Sequence, residues 1–189
     1  REERIIHLGR IDSDSKKQFT LVRAFGLIAA KYRDWSVHFY GPVDRNNKAY
    51  LEDMLSYIKS NNLDQQIFFH KSVDNVKAVL DQGSIFAFPS ANEGFPLALT
   101  EAMSSGLACI GMRACPGVNS LIKDGVDGIL SEDDDESFAK SLERLMLDSV
   151  LRSKLGYNAH LKMQEYTAEK IWLKWESIFS RVKTDTKGV

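Results

Sequence analysis

The sequence predicts a doubly wound α/β domain: a mostly parallel six-stranded sheet with helices on both faces, followed by C-terminal helices. Two observations carry that prediction. Short apolar runs of four to six residues alternate with helical-period segments six times over, which demands strand–helix–strand crossovers and a sheet covered on both sides. The dipeptides and loops Gly9-Arg10, Gly41-Pro42, His70-Lys71, Ser90–Gly94 and the single Gly111 each close one of these runs. In open sheets of this class ligands bind beyond the carboxyl ends of the strands, so these candidates converge on one edge.

The elements follow in order. Ile5-Ile6-His7-Leu8-Gly9-Arg10 is a short buried strand, and Asp14 or Ser15 is placed to cap the helix built from Phe19, Leu21-Val22, Phe25 and Ile28-Ala29. Ser36–Tyr40 is the second strand, and the apolar side of a helix over 48–60 is made by Tyr50-Leu51, Met54-Leu55 and Ile58. Ile67–Phe69 forms the third strand, and Val76, Val79 and Leu80 mark a short helix before Gly83. The fourth strand, 84–88, leads through Pro89-Ser90 into a loop and then a helix that starts at Pro96 and stops at Gly106. Proline suits a first helical position, where its missing N–H has no partner to lose, and glycine suits the residue just past the end. A fifth strand spans 107–111, a helical turn 120–123, and a sixth strand 128–130. The triplet Asp133-Asp134-Asp135 favours the N-terminus of a helix over 138–147, with further helices over 150–163 and 168–182.

Composition bounds the function. A length of 189 residues suits one domain with its own core, and 43% apolar with 27% charged residues is ordinary for a soluble fold. A net charge of −1 argues against a dedicated nucleic-acid binder. Cys109 and Cys115 have neither the spacing of a zinc site nor that of a disulfide framework, and are expected as buried apolar residues in a reducing compartment. No apolar run is long enough to span a bilayer. The chain opens without methionine and nearly inside a strand, as expected of part of a longer protein.

The stretch around which the rest is organised is FPSANEGFPLALTEAMSSG, residues 88–106. Its helix would open at the carboxyl end of a strand, presenting free N–H groups and a partial positive charge suited to an anion such as phosphate. Glu93 and Glu101 bracket that tip with seven residues between them, and nothing in packing calls for a glutamate at position 93. Pro89-Ser90, Glu93-Gly94-Phe95, Glu101-Ala102-Met103 and Gly106 together resemble the signature of the family-4 retaining glycosyltransferases of GT-B architecture, also called glycosyltransferase group 1. Gly9-Arg10, Lys16 and Leu21-Val22-Arg23-Ala24-Phe25 fit the same family's spacing, although Lys17 stands where a glycine is usual.

The resemblance covers residues 5 to about 179 and implies a Rossmann-like, C-terminal, nucleotide-sugar-binding domain. It assigns Arg10 and Lys16 to the diphosphate leaving group, Glu93 to the donor sugar, and Glu101 to the ribose hydroxyls. Backbone at Gly94, Phe95, Pro96 and Leu97 would bond sugar or phosphate oxygens, and Gly9, Gly41 and Val73 would border the nucleotide. The physical logic is that charge building on a diphosphate needs fixed cations, while a carboxylate accepts from a vicinal diol without a competing donor. Gly94 is expected to allow close approach of backbone to ligand. The resemblance further implies retention at the sugar carbon with no metal and no cofactor beyond a UDP-, GDP- or ADP-sugar donor. The departing phosphate would take the acceptor proton, with Glu93 as a positioning group. Asp12-Ser13-Asp14 reads as a chance match to a metal-binding triplet, and Trp172 and Trp175 as packing residues on a helix whose apolar face needs a partner. The partner domain, an N-terminal acceptor-binding half, would come from the same full-length protein and bring any peripheral membrane contact. A cytoplasmic enzyme of bacterial surface polysaccharide synthesis, inactive without that half, is the expectation. A non-catalytic nucleotide-binding scaffold, a sugar-nucleotide epimerase, and a phosphorylase carrying a lysine-bound pyridoxal phosphate are the rivals.

Overall fold

The computed structural model describes residues 2–13, 15–43 and 45–185. Six strands form one sheet: β1 (Arg4–Leu8), β2 (Ser36–Tyr40), β3 (Ile67–His70), β4 (Ile85–Phe88), β5 (Ala108–Met112) and β6 (Ile129–Ser131). Their spatial order is β3-β2-β1-β4-β5-β6, with every pairing parallel. Strand order reverses between β1 and β4, and that reversal opens a crevice at their carboxyl ends. The helices are α1 (Gln18–Ile28), α2 (Lys48–Ser60), α3 (Val76–Gln82), α4 (Leu97–Ser104), α5 (Pro116–Asn119), α6 (Asp135–Leu147), α7 (Ser149–Met163) and α8 (Ala168–Asp185). Right-handed crossovers running outward from β1 and from β4 place α1 and α2 on one face and α4 on the other. Against these, α6 packs on α1 and α7 packs on α4 and β5.

The core is the sheet sandwiched between those layers. Phe25, Phe39, Phe86, Phe88 and Phe138 are fully buried, each worth about 1.5–3 kcal/mol of transfer free energy. Cys109 and Cys115 are buried among them. Several boundaries differ from the sequence reading, each for a local reason. Pro96 is the residue before α4, with φ −79° and ψ 93°, and its carbonyl accepts the first helical bonds from Leu99 and Thr100. The turn expected at 120–123 starts earlier, because Pro116 fits the first position of α5 and pulls the helix forward. Ser15 does not cap α1, and the alternative cap, Asp14, lies outside the described residues. Lys17 takes that place in a left-handed conformation, φ 46° and ψ 42°, at a cost of about 1 kcal/mol. Glycine supplies that conformation most cheaply, so Lys17 keeps a turn that glycine would favour.

Other sequence signals map as expected. Gly106 has φ 70° past the end of α4; its N–H bonds Met103 O and the Leu107 N–H bonds Ala102 O, the paired closure typical of a glycine helix stop. Asp134 caps α6 by accepting the Ser137 N–H at 2.7 Å. On α8, Trp172 and Trp175 are 64% and 50% exposed, so the packing role expected of them is not met within the described residues. The helix is amphipathic by sequence, and Trp172, Leu173, Trp175, Ile178 and Phe179 stand exposed along it.

Candidate functional site

The first loop at the crevice, residues 9–17, is built from the backbone outward. The Gly9 N–H bonds Tyr40 O at 3.0 Å and the Ile11 N–H bonds Pro42 O at 2.9 Å, extending the β1–β2 ladder past the strands. Gly41 is there for close approach: a Cβ on it would stand 2.1 Å from Gly9 O. Asp12, nearly buried, accepts from Arg10 Nη2 through Oδ2 at 2.8 Å and from the Ser15 N–H through Oδ1 at 3.1 Å. The fully buried Gln18 donates to Arg10 O at 2.7 Å and accepts the Asp12 N–H at 3.2 Å.

The second loop, 89–96, lies across the reversal point. Its Ala91 N–H bonds Ser15 O at 2.8 Å, stitching the two loops together. Lys16 Nζ forms an ion pair with Glu93 Oε1, both side chains largely shielded, and sits 5.5 Å from the centre of the Phe88 ring. Lys17 turns the other way, to Asp133 at 3.3 Å. The two neighbouring lysines are thereby told apart: Lys16 faces the Glu93 loop and Lys17 does not. Glu93 is backed from below by α5, where a Cβ on Gly117 would fall 2.3 Å from Glu93 O. Ser90 is fully buried, and among the described residues its Oγ has no hydrogen-bond partner.

The sequence-predicted residues sort by position. Arg10, Lys16 and Glu93 all lie on the two stitched loops, and Gly9 and Gly41 are in direct backbone apposition beside them. Gly94, Phe95 and Leu97 are exposed at the tip of α4, with Pro96 buried beneath them. A Cβ on Gly94 would meet nothing within 4 Å, so no part of the chain itself demands glycine there; the space in front of it is open. Glu101 is exposed one turn inside α4, on a groove of about 540 Å³ shared with Val76, Leu80 and Thr100. Val73 is half-buried against the core, next to a hollow of about 480 Å³ lined by Gly41, Pro42, Phe69, His70 and Ser72. Among the described residues no cluster of metal-ligating side chains is present.

The sequence reading gave His7 and Gln18 no part in the site, and took Asp12 only into a triplet and Ser90 only into the signature. His7 left a visible trace, being the one polar side chain inside the run Ile5–Leu8. It is fully buried, stacked on Phe88 and tilted against Phe39, and bonded through Nδ1 to Ala87 O at 2.9 Å. Burial drives its pKa down to about 4, against the Ala87 bond and with the Lys16 ammonium adding to the effect.

Comparison with known proteins bears on the family and the fold. The family model described as Glycosyl transferases group 1 matches residues 2–148. An alpha-1,4-N-acetyl-D-galactosaminyltransferase of Campylobacter jejuni, acting on a diNAcBac-PP-undecaprenol-linked glycan, is 31% identical over 134 residues, 70% of this chain and 37% of its own. The C-terminal domain of a glycosyl transferase group 1 protein (LpcC) from Francisella tularensis has a TM-score of 0.81 at 26% identity, over 87% of this chain and 86% of that one. The Anabaena protein Alr3699/HepE in complex with UDP has a TM-score of 0.88 at 18% identity, over 95% of this chain and 49% of that one, a likeness of fold. The chain spans less than half the length of the curated relatives it matches.

Proposed function

Because this chain belongs to the group 1 glycosyl transferases, we propose that it is the donor-binding, C-terminal half of a retaining glycosyltransferase that uses a nucleotide-diphosphate sugar. The observation that carries the reading is the meeting of Lys16 with Glu93 at the strand-order reversal, beside Arg10 and the open tip of α4. A cation for the leaving group and a carboxylate for the sugar are thus within one hydrogen bond of each other before any ligand arrives.

Binding then becomes an exchange of partners. The diphosphate takes Lys16 from Glu93 and Arg10 from Asp12, and Glu93, released from its ammonium, accepts from hydroxyls of the donor sugar. Arg10 grips two phosphate oxygens while Lys16 supplies a compact charge. Charge growing on the departing diphosphate is met by these cations and by the N–H groups at the start of α4, on this reading without a divalent metal. The leaving phosphate accepts the acceptor's proton on the face it departs from, so configuration is retained and Glu93 positions the sugar without becoming bonded to it. Glu101, one turn along α4, receives the ribose diol, and Gly41 and Val73 border the base.

The acceptor side would come from an N-terminal half of the same protein. The name of the Campylobacter relative, with its lipid-diphosphate-linked acceptor, supports surface polysaccharide synthesis at the inner face of the membrane as the setting. No helix among the described residues is long and apolar enough to cross a membrane. Calorimetric titration of UDP, GDP and ADP into the chain tests the reading. One nucleotide should bind, and Arg10→Ala with Lys16→Ala should weaken it by about 10²–10³-fold, the worth of two charge-assisted bonds. Failure of all three nucleotides to bind, or equal binding by the double variant, would overturn it.

A further inference from the structure

Behind the two cations lies a chain of buried hydrogen bonds whose polarity can be fixed link by link. Ala87 O can only accept, so His7 Nδ1, at 2.9 Å, carries the proton. The imidazole is neutral, which leaves Nε2 as an acceptor, and Gln18 Nε2 at 3.3 Å donates to it. The other amide proton of Gln18 goes to Arg10 O at 2.7 Å, and its Oε1 accepts the Asp12 N–H at 3.2 Å. Turning the Gln18 amide over would set its oxygen against Arg10 O and its nitrogen against the Asp12 N–H, so only one orientation satisfies every group. Both side chains are fully buried, and the imidazole lies so close under Gly9 that a Cβ there would come within 3.2 Å of Nε2. The chain therefore runs from the end of β4, through His7 and Gln18, to the backbone on both sides of Ile11.

We propose that His7 and Gln18 are positioning residues that set where Arg10 and Lys16 stand relative to the Glu93 loop. Neither touches the ligand. They act by fixing the backbone that carries Arg10 and Asp12 against the strand that leads into the second loop, so that the cations are spaced for a diphosphate before it binds. This rests on the donor-site reading above. A small displacement of such a pair is felt most by a ligand that must engage both cations at once.

The test uses the 189-residue chain as it is. Nitrogen-15 spectra of the wild-type imidazoles should show His7 protonated at Nδ1 and bare at Nε2; a proton on Nε2 reverses the first link and overturns the proposal. Gln18→Met keeps the volume and removes the amide, and His7→Asn keeps a donor for Ala87 O while losing the acceptor for Gln18. With folding verified by circular dichroism, each should weaken the nucleoside diphosphate about tenfold, the usual effect of a lost buried bond, while the matching nucleoside monophosphate weakens far less. A merely structural role would move both ligands together, and that result overturns the proposal. Should Gln18→Met fail to fold, His7→Asn and the imidazole spectrum decide. If the wild-type chain binds none of UDP, GDP or ADP, it is the donor-site reading that falls; if it binds and the folded variants bind as tightly, this inference falls alone.

Discussion

The two loops that meet at the crevice are held in different ways. The 9–17 loop is tied by backbone bonds to Tyr40 and Pro42, by Asp12 within itself, and by Gln18 from beneath. Among the described residues the 89–96 loop has fewer ties: the Ala91 bond to Ser15, the Lys16–Glu93 pair, and the close seat of Gly117. It even leaves the Ser90 hydroxyl buried without a partner among those residues. The difference teaches that the cationic side is built in advance and the acidic side leans on it. On the donor-site reading proposed above, the diphosphate is common to nucleotide-diphosphate sugars whereas the sugars differ, and a well-tied first loop beside a less-tied second one suits that division.

The comparison can be broken most severely at Gly41. Gly41→Ala puts a methyl 2.1 Å from Gly9 O, backbone against backbone, and should cost about 3 kcal/mol in urea unfolding while abolishing nucleotide binding. Acid attacks the same loop through His7. Its pKa is about 4 folded against 6.5 unfolded, so between those values the unfolded chain takes up a proton that the folded chain refuses. Stability is therefore complete above about 6.5 and drains as pH falls toward 4, by up to about 3 kcal/mol from this residue. His38, lowered to about 4 by burial, pulls in the same direction. Denaturant midpoints followed from neutral to acid pH should show the slope, and His7→Phe should make it shallower while leaving the His38 share.

Smaller effects sharpen the contrast. Gly117→Ala sets a Cβ 2.3 Å from Glu93 O and should cost about 2 kcal/mol. Because it moves only the second loop, it should impair discrimination among nucleotide sugars more than affinity for the bare nucleoside diphosphate. A matched fall in both, measured by calorimetry, would contradict the division between the loops. Ser90→Ala removes a buried hydroxyl that has no partner among the described residues and should raise stability by about 1 kcal/mol, read as a higher melting temperature.

Much of the fold was legible because its signals are local. The strands of β1 to β6 are short apolar runs, Gly106 marks a helix stop by its own conformation, and Asp134 caps the helix next to it. Of the candidate site, the motifs gave the placement: Arg10, Lys16 and Glu93 lie on two loops joined at one edge of the sheet. What stayed hidden depends on distance in the chain. His7 and Gln18 are eleven residues apart with no period joining them, and Gly117 supports Glu93 only after two strands have paired. Gly41 was visible as a glycine, but its reason, the oxygen of Gly9, belongs to the neighbouring strand. The packing expected of Trp172 and Trp175 failed because amphipathicity tells which side of a helix wants cover, never what provides it.

That helix has a practical consequence. Of the three tryptophans, Trp35 is buried beneath the Arg152 guanidinium, while Trp172 and Trp175 stand in solvent on α8. The emission of the chain is thus a sum of a shielded indole and two that a quencher such as iodide can reach. Anything that settles on α8 should shift the reachable fraction toward the blue and protect it, leaving Trp35 as an internal standard. The protein carries its own optical gauge of whether that surface is covered.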